Sequence, residues 1–205
     1  MGLSIAAILT PSWQVVNLTE YNSTHEHGLW LDCTRHIQDG NVSHCVYKFD
    51  YDKYSGTSNL EDDNSPVREV NRHKFYGWHI ATLILLALAL LTAFMSIFIG
   101  TFGCCCGSMA LVFSAITLLT TFLSSVAVGL FFFYSQRADN RFIQGIDRTY
   151  EQHVGVAFFL GMGACFFHFL SFLVAMLPTY FTFKKKGHVG QLQYATKHRT
   201  NLEYR

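Results

Sequence analysis

Six cysteines, ten histidines and three Asn-x-Ser/Thr triplets are the residues of this 205-residue chain whose types and spacing could carry chemistry. Cys33 and Cys45 have 11 residues between them in a polar segment. An oxidising compartment would permit a disulfide there, with two free thiols as the alternative. Cys104, Cys105 and Cys106 are consecutive, so a turn cannot bring all three to one tetrahedral metal, and no fourth ligand is near. They are candidates for S-palmitoylation, against inert interfacial thiols. Cys165 reads as a small packing residue. His25, His27, His36 and His44 could bind metal or sense pH, but no tight ligand spacing appears, and solvated loop histidines are the plainer reading. His168 is the one ionisable residue deep in an apolar run. Such a residue is a functional candidate by default, although a neutral imidazole hydrogen-bonded between helices explains it better. Asn17-Leu18-Thr19, Asn22-Ser23-Thr24 and Asn41-Val42-Ser43 are N-glycosylation sequons. There is no nucleophile elbow, phosphate loop or His-Glu-x-x-His, and no serine has a positioned base. No enzymatic activity, metal, cofactor or nucleic-acid partner is expected.

The elements that must position these residues are set by where charge is missing. Only 14% of residues are Asp, Glu, Lys or Arg, and Phe alone supplies 19. Trp78–Gly100, Met109–Tyr134 and Val154–Phe183 carry no charge and are apolar all round. A bilayer core about 30 Å thick needs roughly 20 such residues per helix, so all three are read as membrane spans. Ser125 and Gly129, four apart, suggest close helix approach. Pro178 is tolerable where a span is about to leave the bilayer. Gly2–Thr10 is apolar but too short to cross, and Pro11 and Trp13 follow at once. It is read as the last half of a first spanning helix. His44–Phe49 alternates and reads as a strand. Ser55–Ser65 reads as a loop, and Lys184–Arg205, which lacks apolar periodicity, as a disordered tail.

Lys184, Lys185 and Lys186 follow the last span directly, which places that end in the cytoplasm. Counting back puts 14–77 and 135–153 outside. The three sequons and the Cys33/Cys45 pair then all fall on the outer side, which outweighs the opposing Arg68, Arg72 and Lys74. The outer segment from Gln14 to Gly77 holds 10 acidic and 6 basic residues.

Pro11-Ser12-Trp13, then Gly28-Leu29-Trp30, then Cys33 and Cys45, resembles the signature of the claudins and their relatives: the peripheral myelin and epithelial membrane proteins, the stargazin-like channel subunits and the nematode Clc-like proteins. Pro-Ser-Trp-Gln-Val-Val leading into Gly-Leu-Trp is most similar to the Clc-like branch. The resemblance implies an all-α transmembrane four-helix bundle, its first helix truncated here, bearing a small extracellular antiparallel sheet with one strand added from the second loop. It implies that Cys33 and Cys45 join neighbouring strands, which would restrict the unfolded chain by about 3 kcal/mol, and that Trp30 lies at the membrane interface. Against the family pattern, the cysteine gap is slightly long, and Glu203-Tyr204-Arg205 is not a scaffold-binding carboxyl terminus.

The expected organisation is a remnant of helix 1 over 1–13, outer loop over 14–77, span over 78–100, cytoplasmic turn over 101–108, span over 109–134, outer loop over 135–153, span over 154–183 and cytoplasmic tail over 184–205. The expected role is adhesion or a paracellular barrier at cell–cell contacts of the plasma membrane, with like chains as partners in cis or trans. Asp32, Asp39, Asp50 and Asp52 would then be the ion-selectivity candidates. The alternative is an auxiliary subunit of a channel or receptor.

Overall fold

The structure is a computed structural model that describes residues 1–20, 22–36, 42–50, 75–102, 107–144 and 148–203. Lipid offers no hydrogen bonds, so an apolar stretch must satisfy its own backbone as a helix. Three described helices are long and apolar enough to cross a membrane: α2 (Gly77–Phe102), α3 (Gly107–Ser135) and α5 (Val156–Glu203). A short helix, α1 (Gly2–Leu9), packs on α5 and α2. Helix α3 lies between α2 and α5, which closes a ring of four. The chain is a membrane protein of mostly helical, claudin-like architecture.

Several polar side chains inside the bundle bond to their own helix or across it, whereas buried Thr82 Oγ1 has no partner among the described residues. Thr120 donates to Thr92 at 2.9 Å between α3 and α2. Ser125 meets Cys165 at 3.1 Å, and Ser4 meets His168 Nε2 at 3.2 Å. His168 therefore has an interhelical partner, as the structural reading of that residue requires. The expected close approach at Gly129 is absent: a Cβ there would meet nothing within 4 Å. The close approach occurs instead at Gly161, where a Cβ would stand 3.2 Å from the Trp13 ring.

Helix α5 corrects the reading of the tail as disordered. It continues through Pro178 and Lys184 to Glu203. Pro178 cannot donate to the preceding turn, but beyond it Lys, Gln, Leu, Ala, Arg and Glu are good helix formers and no second proline intervenes.

Five strands form an antiparallel sheet in the order β4-β3-β2-β1-β7. They are β1 (Gln14–Leu18), β2 (Ser23–His27), β3 (Leu31–His36), β4 (Ser43–Tyr47) and β7 (His153–Val154). A 3₁₀ turn, Lys48–Asp50, follows β4. The first loop thus supplies four strands and the second supplies β7. The second loop also forms a four-residue helix α4 (Ala138–Arg141) and a hairpin of β5 (Phe142–Gln144) and β6 (Thr149–Glu151). Alternation along β1 and β2 buries Gln14, Val16, Leu18, Ser23, His25 and His27 on one face. Ile143 and Tyr150 of the hairpin cover Val16 and Leu18 there. Asn22, in the β1–β2 turn, has φ 48°, a conformation asparagine tolerates.

Candidate functional site

Helix α1 ends with carbonyls that lack helical donors, as every helix does. Pro11 has no N–H to offer Ala7. The Trp13 indole N–H donates to the Ala7 carbonyl instead, at 2.8 Å. The Trp30 indole N–H donates to the Ile8 carbonyl at 2.7 Å. Both tryptophans of the signature are therefore side-chain caps on one helix end. Trp13 is fully buried, with its ring edge-on to Phe131 of α3 at 4.7 Å. Trp30 stacks on Tyr47 of β4, centroids 5.5 Å apart.

Gly28-Leu29-Trp30 is the tip between β2 and β3, and it dips into the head of the bundle. Leu29 is fully buried in one cluster with Ala7, Trp13, Leu86, Phe131 and Phe158, residues drawn from every helix of the ring. Gly28 permits that docking: a Cβ would lie 2.4 Å from the Leu31 carbonyl oxygen and 2.9 Å from Pro11 Cα. Gly155 does the same from the second loop, where a Cβ would lie 2.2 Å from the Ser12 carbonyl oxygen. The signature is thus a joint that fixes the sheet to the bundle.

Beside the tip, Asp32 is 2% exposed. Its Oδ1 accepts from the Gly28 N–H at 3.0 Å, and its Oδ2 lies 2.9 Å from Lys48 Nζ and 3.5 Å from His27 Nδ1. The Lys48 side chain is fully buried. This corrects the selectivity reading of Asp32: a carboxylate neutralised by an ammonium and shut off from solvent presents no charge to a passing ion. Asp50 ends the 3₁₀ turn, and Asp39 and Asp52 lie outside the described residues.

Cys33 and Cys45 are directly opposed on β3 and β4 and form a disulfide, with Cα atoms 4.1 Å apart. The pair closes the outermost hairpin of the sheet. Asn17 is exposed on the face turned away from the hairpin cover and accepts from Thr24 Oγ1 at 2.9 Å. Asn22 is also exposed. Asn41 and Cys104, Cys105 and Cys106 lie outside the described residues.

The loop histidines share the inner face of the sheet but are not all solvated, contrary to the plainer reading. His25 and His27 are 0% and 3% exposed, and their rings stack at 6.4 Å. His25 meets Ser23 Oγ at 3.1 Å and Thr34 Oγ1 at 3.3 Å. His44 is exposed on β4 and His36 half-buried on β3. No group of three His, Cys, Asp or Glu that could hold a metal occurs among the described residues.

Four residues of this junction escaped sequence reasoning: Lys48, His79, Gln152 and Gly155. Lys48 did carry a signal, a lone cation amid Val46, Tyr47 and Phe49 in an otherwise apolar strand end. The others owe their place to contacts between distant segments.

The Clc-like family model matches residues 1–187. The chain is 24% identical over 205 residues to Clc-like protein 5 of Caenorhabditis elegans, covering 95% of this chain and 71% of that protein. It is 23% identical over 184 residues to Clc-like protein 2 of the same organism, covering 85% and 68%. With nearly its whole length matched, and the signature residues assembled at one joint, this chain belongs to the Clc-like family of claudin-like membrane proteins.

Proposed function

We propose that this chain is a contact protein of the plasma membrane, acting in adhesion or a paracellular barrier between cells by association and not by catalysis. One observation carries the reading: Trp13, Leu29 and Trp30 cement the sheet to the bundle head, so the chain presents a preformed sheet face instead of a mobile loop. Preformed surfaces associate without the ordering cost that a loop would add. In this reading the sheet and hairpin are extracellular, Lys184–Lys186 are cytoplasmic, Asn17, Asn22 and Asn41 carry sugar, and Cys104–Cys106 are acylated. The bilayer is one partner, and like chains in cis or trans are the others.

A second reading has its own support. Sugar on exposed Asn17 would stand on the outward face of the sheet and hold an opposing cell's sheet away. Buried Asp32 also removes one of the four carboxylates on which ion selection was to rest. Both facts favour lateral packing against a channel or receptor as an auxiliary subunit. Expression of the tagged chain in non-adherent cells separates the two. Enrichment at cell–cell contacts is expected of a contact protein. Uniform surface staining, with a larger membrane protein co-purifying, would replace that reading with the second.

A further inference from the structure

Where the sheet, the second loop and the head of α2 meet, the described residues leave a cavity of about 20 Å³. Gln14, His27, His79, Asn140 and Gln152 form its polar wall, and Trp78 lies at its apolar side. That volume admits one water molecule and little else. Gln152 is 5% exposed and His79 3% exposed. Yet neither amide atom of Gln152 nor Nδ1 of His79 has a hydrogen-bond partner among the described residues. The Gln152 backbone is anchored, its N–H donating to the Arg141 carbonyl at 2.8 Å.

Burying a primary amide with neither end satisfied is costly, and native proteins meet such groups with ordered water. The charge nearby decides what kind of occupant fits. Lys48 and Asp32, next to His27 of the wall, neutralise each other at 2.9 Å, so the pair favours neither a cation nor an anion. A neutral molecule that both donates and accepts suits the site.

We propose that this cavity is a water site: one buried water bridges the Gln152 amide of the second loop to Nδ1 of His79 at the head of α2. The water is then a polar latch between the second loop and the head of α2.

The sign of one substitution tests this. In an empty cavity Gln152→Met would stabilise the protein, because it removes two buried unpaired atoms. With the bridge present it breaks a bonded network. The full chain, purified into lipid nanodiscs, should then lose about 2–4 °C in Tm. His79→Phe should lose a similar amount. The double variant should lose clearly less than the sum, since both changes delete the same bridge. A rise in Tm for Gln152→Met, or strict additivity, overturns the proposal. His79 stacks on Trp78 at 3.7 Å, so its variant could fail to fold. In that case radiolytic hydroxyl labelling of the wild-type chain decides: oxidation at buried His79 supports a resident water, and an unlabelled His79 overturns it.

Discussion

Replacing Lys48 by Met should destabilise this protein strongly. Methionine keeps the length of the side chain and most of its apolar stem, so packing is nearly conserved. What is lost is the ammonium 2.9 Å from Asp32 Oδ2. The carboxylate would remain 1% exposed, with its second oxygen still tied to the Gly28 N–H at 3.0 Å. Deleting one member of a buried pair costs about 3–5 kcal/mol, because the other charge stays buried without its counter-ion, with His27 Nδ1 3.5 Å away. At roughly 2–4 °C per kcal/mol for a chain of this size, Tm should fall by about 6–20 °C. Size-exclusion thermostability of the full chain in nanodiscs measures this. The control is Lys48→Met with Asp32→Asn. The amide keeps an acceptor for Gly28 and carries no charge, so the double variant should recover most of the loss. A single variant within 2 °C of wild type (about 1 kcal/mol or less), or a double variant no better than the single, would refute the buried-pair reasoning.

Four further outcomes rest on the same geometry. Trp30→Phe keeps an aromatic ring but drops the pyrrole half of the indole and leaves the Ile8 carbonyl without its donor; a loss of about 1–3 kcal/mol is expected in thermal unfolding, and an unchanged Tm would mean the cap is dispensable. Gly28→Ala and Gly155→Ala each place a Cβ within 2.4 Å of a backbone oxygen; both should be retained inside the cell, and normal surface delivery of either would show that the joint can relax. Cys33→Ser and Cys45→Ser should each block delivery, whereas Asn17→Gln and Asn22→Gln should each remove one glycosidase-sensitive step in gel mobility; normal delivery of both cysteine variants, or no mobility change, would count against these assignments. The hydrogen bond from Arg141 to Glu151, 2.8 Å from Nε, holds the Glu151 carboxyl below its usual range. A depressed folded value means this contact stabilises β5–β6 at and above the ordinary carboxylate pKa and is lost as pH falls through the folded value. Amide protection factors in the hairpin, corrected for the intrinsic pH dependence of exchange, should therefore fall on acidification, and Arg141→Gln should abolish that fall.

What could be read directly from the residues was whatever solvent alone decides. Lipid selects long uncharged runs, so helices α2, α3 and α5 stand on the three apolar stretches, while of the expected strand His44–Phe49 only His44–Tyr47 belongs to β4 and Lys48 and Phe49 begin the 3₁₀ turn. The motif residues were recognisable as a set, but their work was not. The Trp13 cap answers the N–H that Pro11 lacks at the Ala7 carbonyl, and only the folded approach of residue 30 to residue 8 reveals the second cap. Asp32 misled because composition counts charges without pairing them. Its partner is sixteen residues on in sequence, brought back by the β3–β4 register that also opposes Cys33 and Cys45. On its other side β3 sets Asp32 opposite His27 and Thr34 opposite His25, so strand pairing by itself assigns the carboxylate to the buried face. A charge on the inner face of a docked sheet must find a counter-ion, and Lys48, a lone cation between Tyr47 and Phe49, is the residue that such a requirement selects.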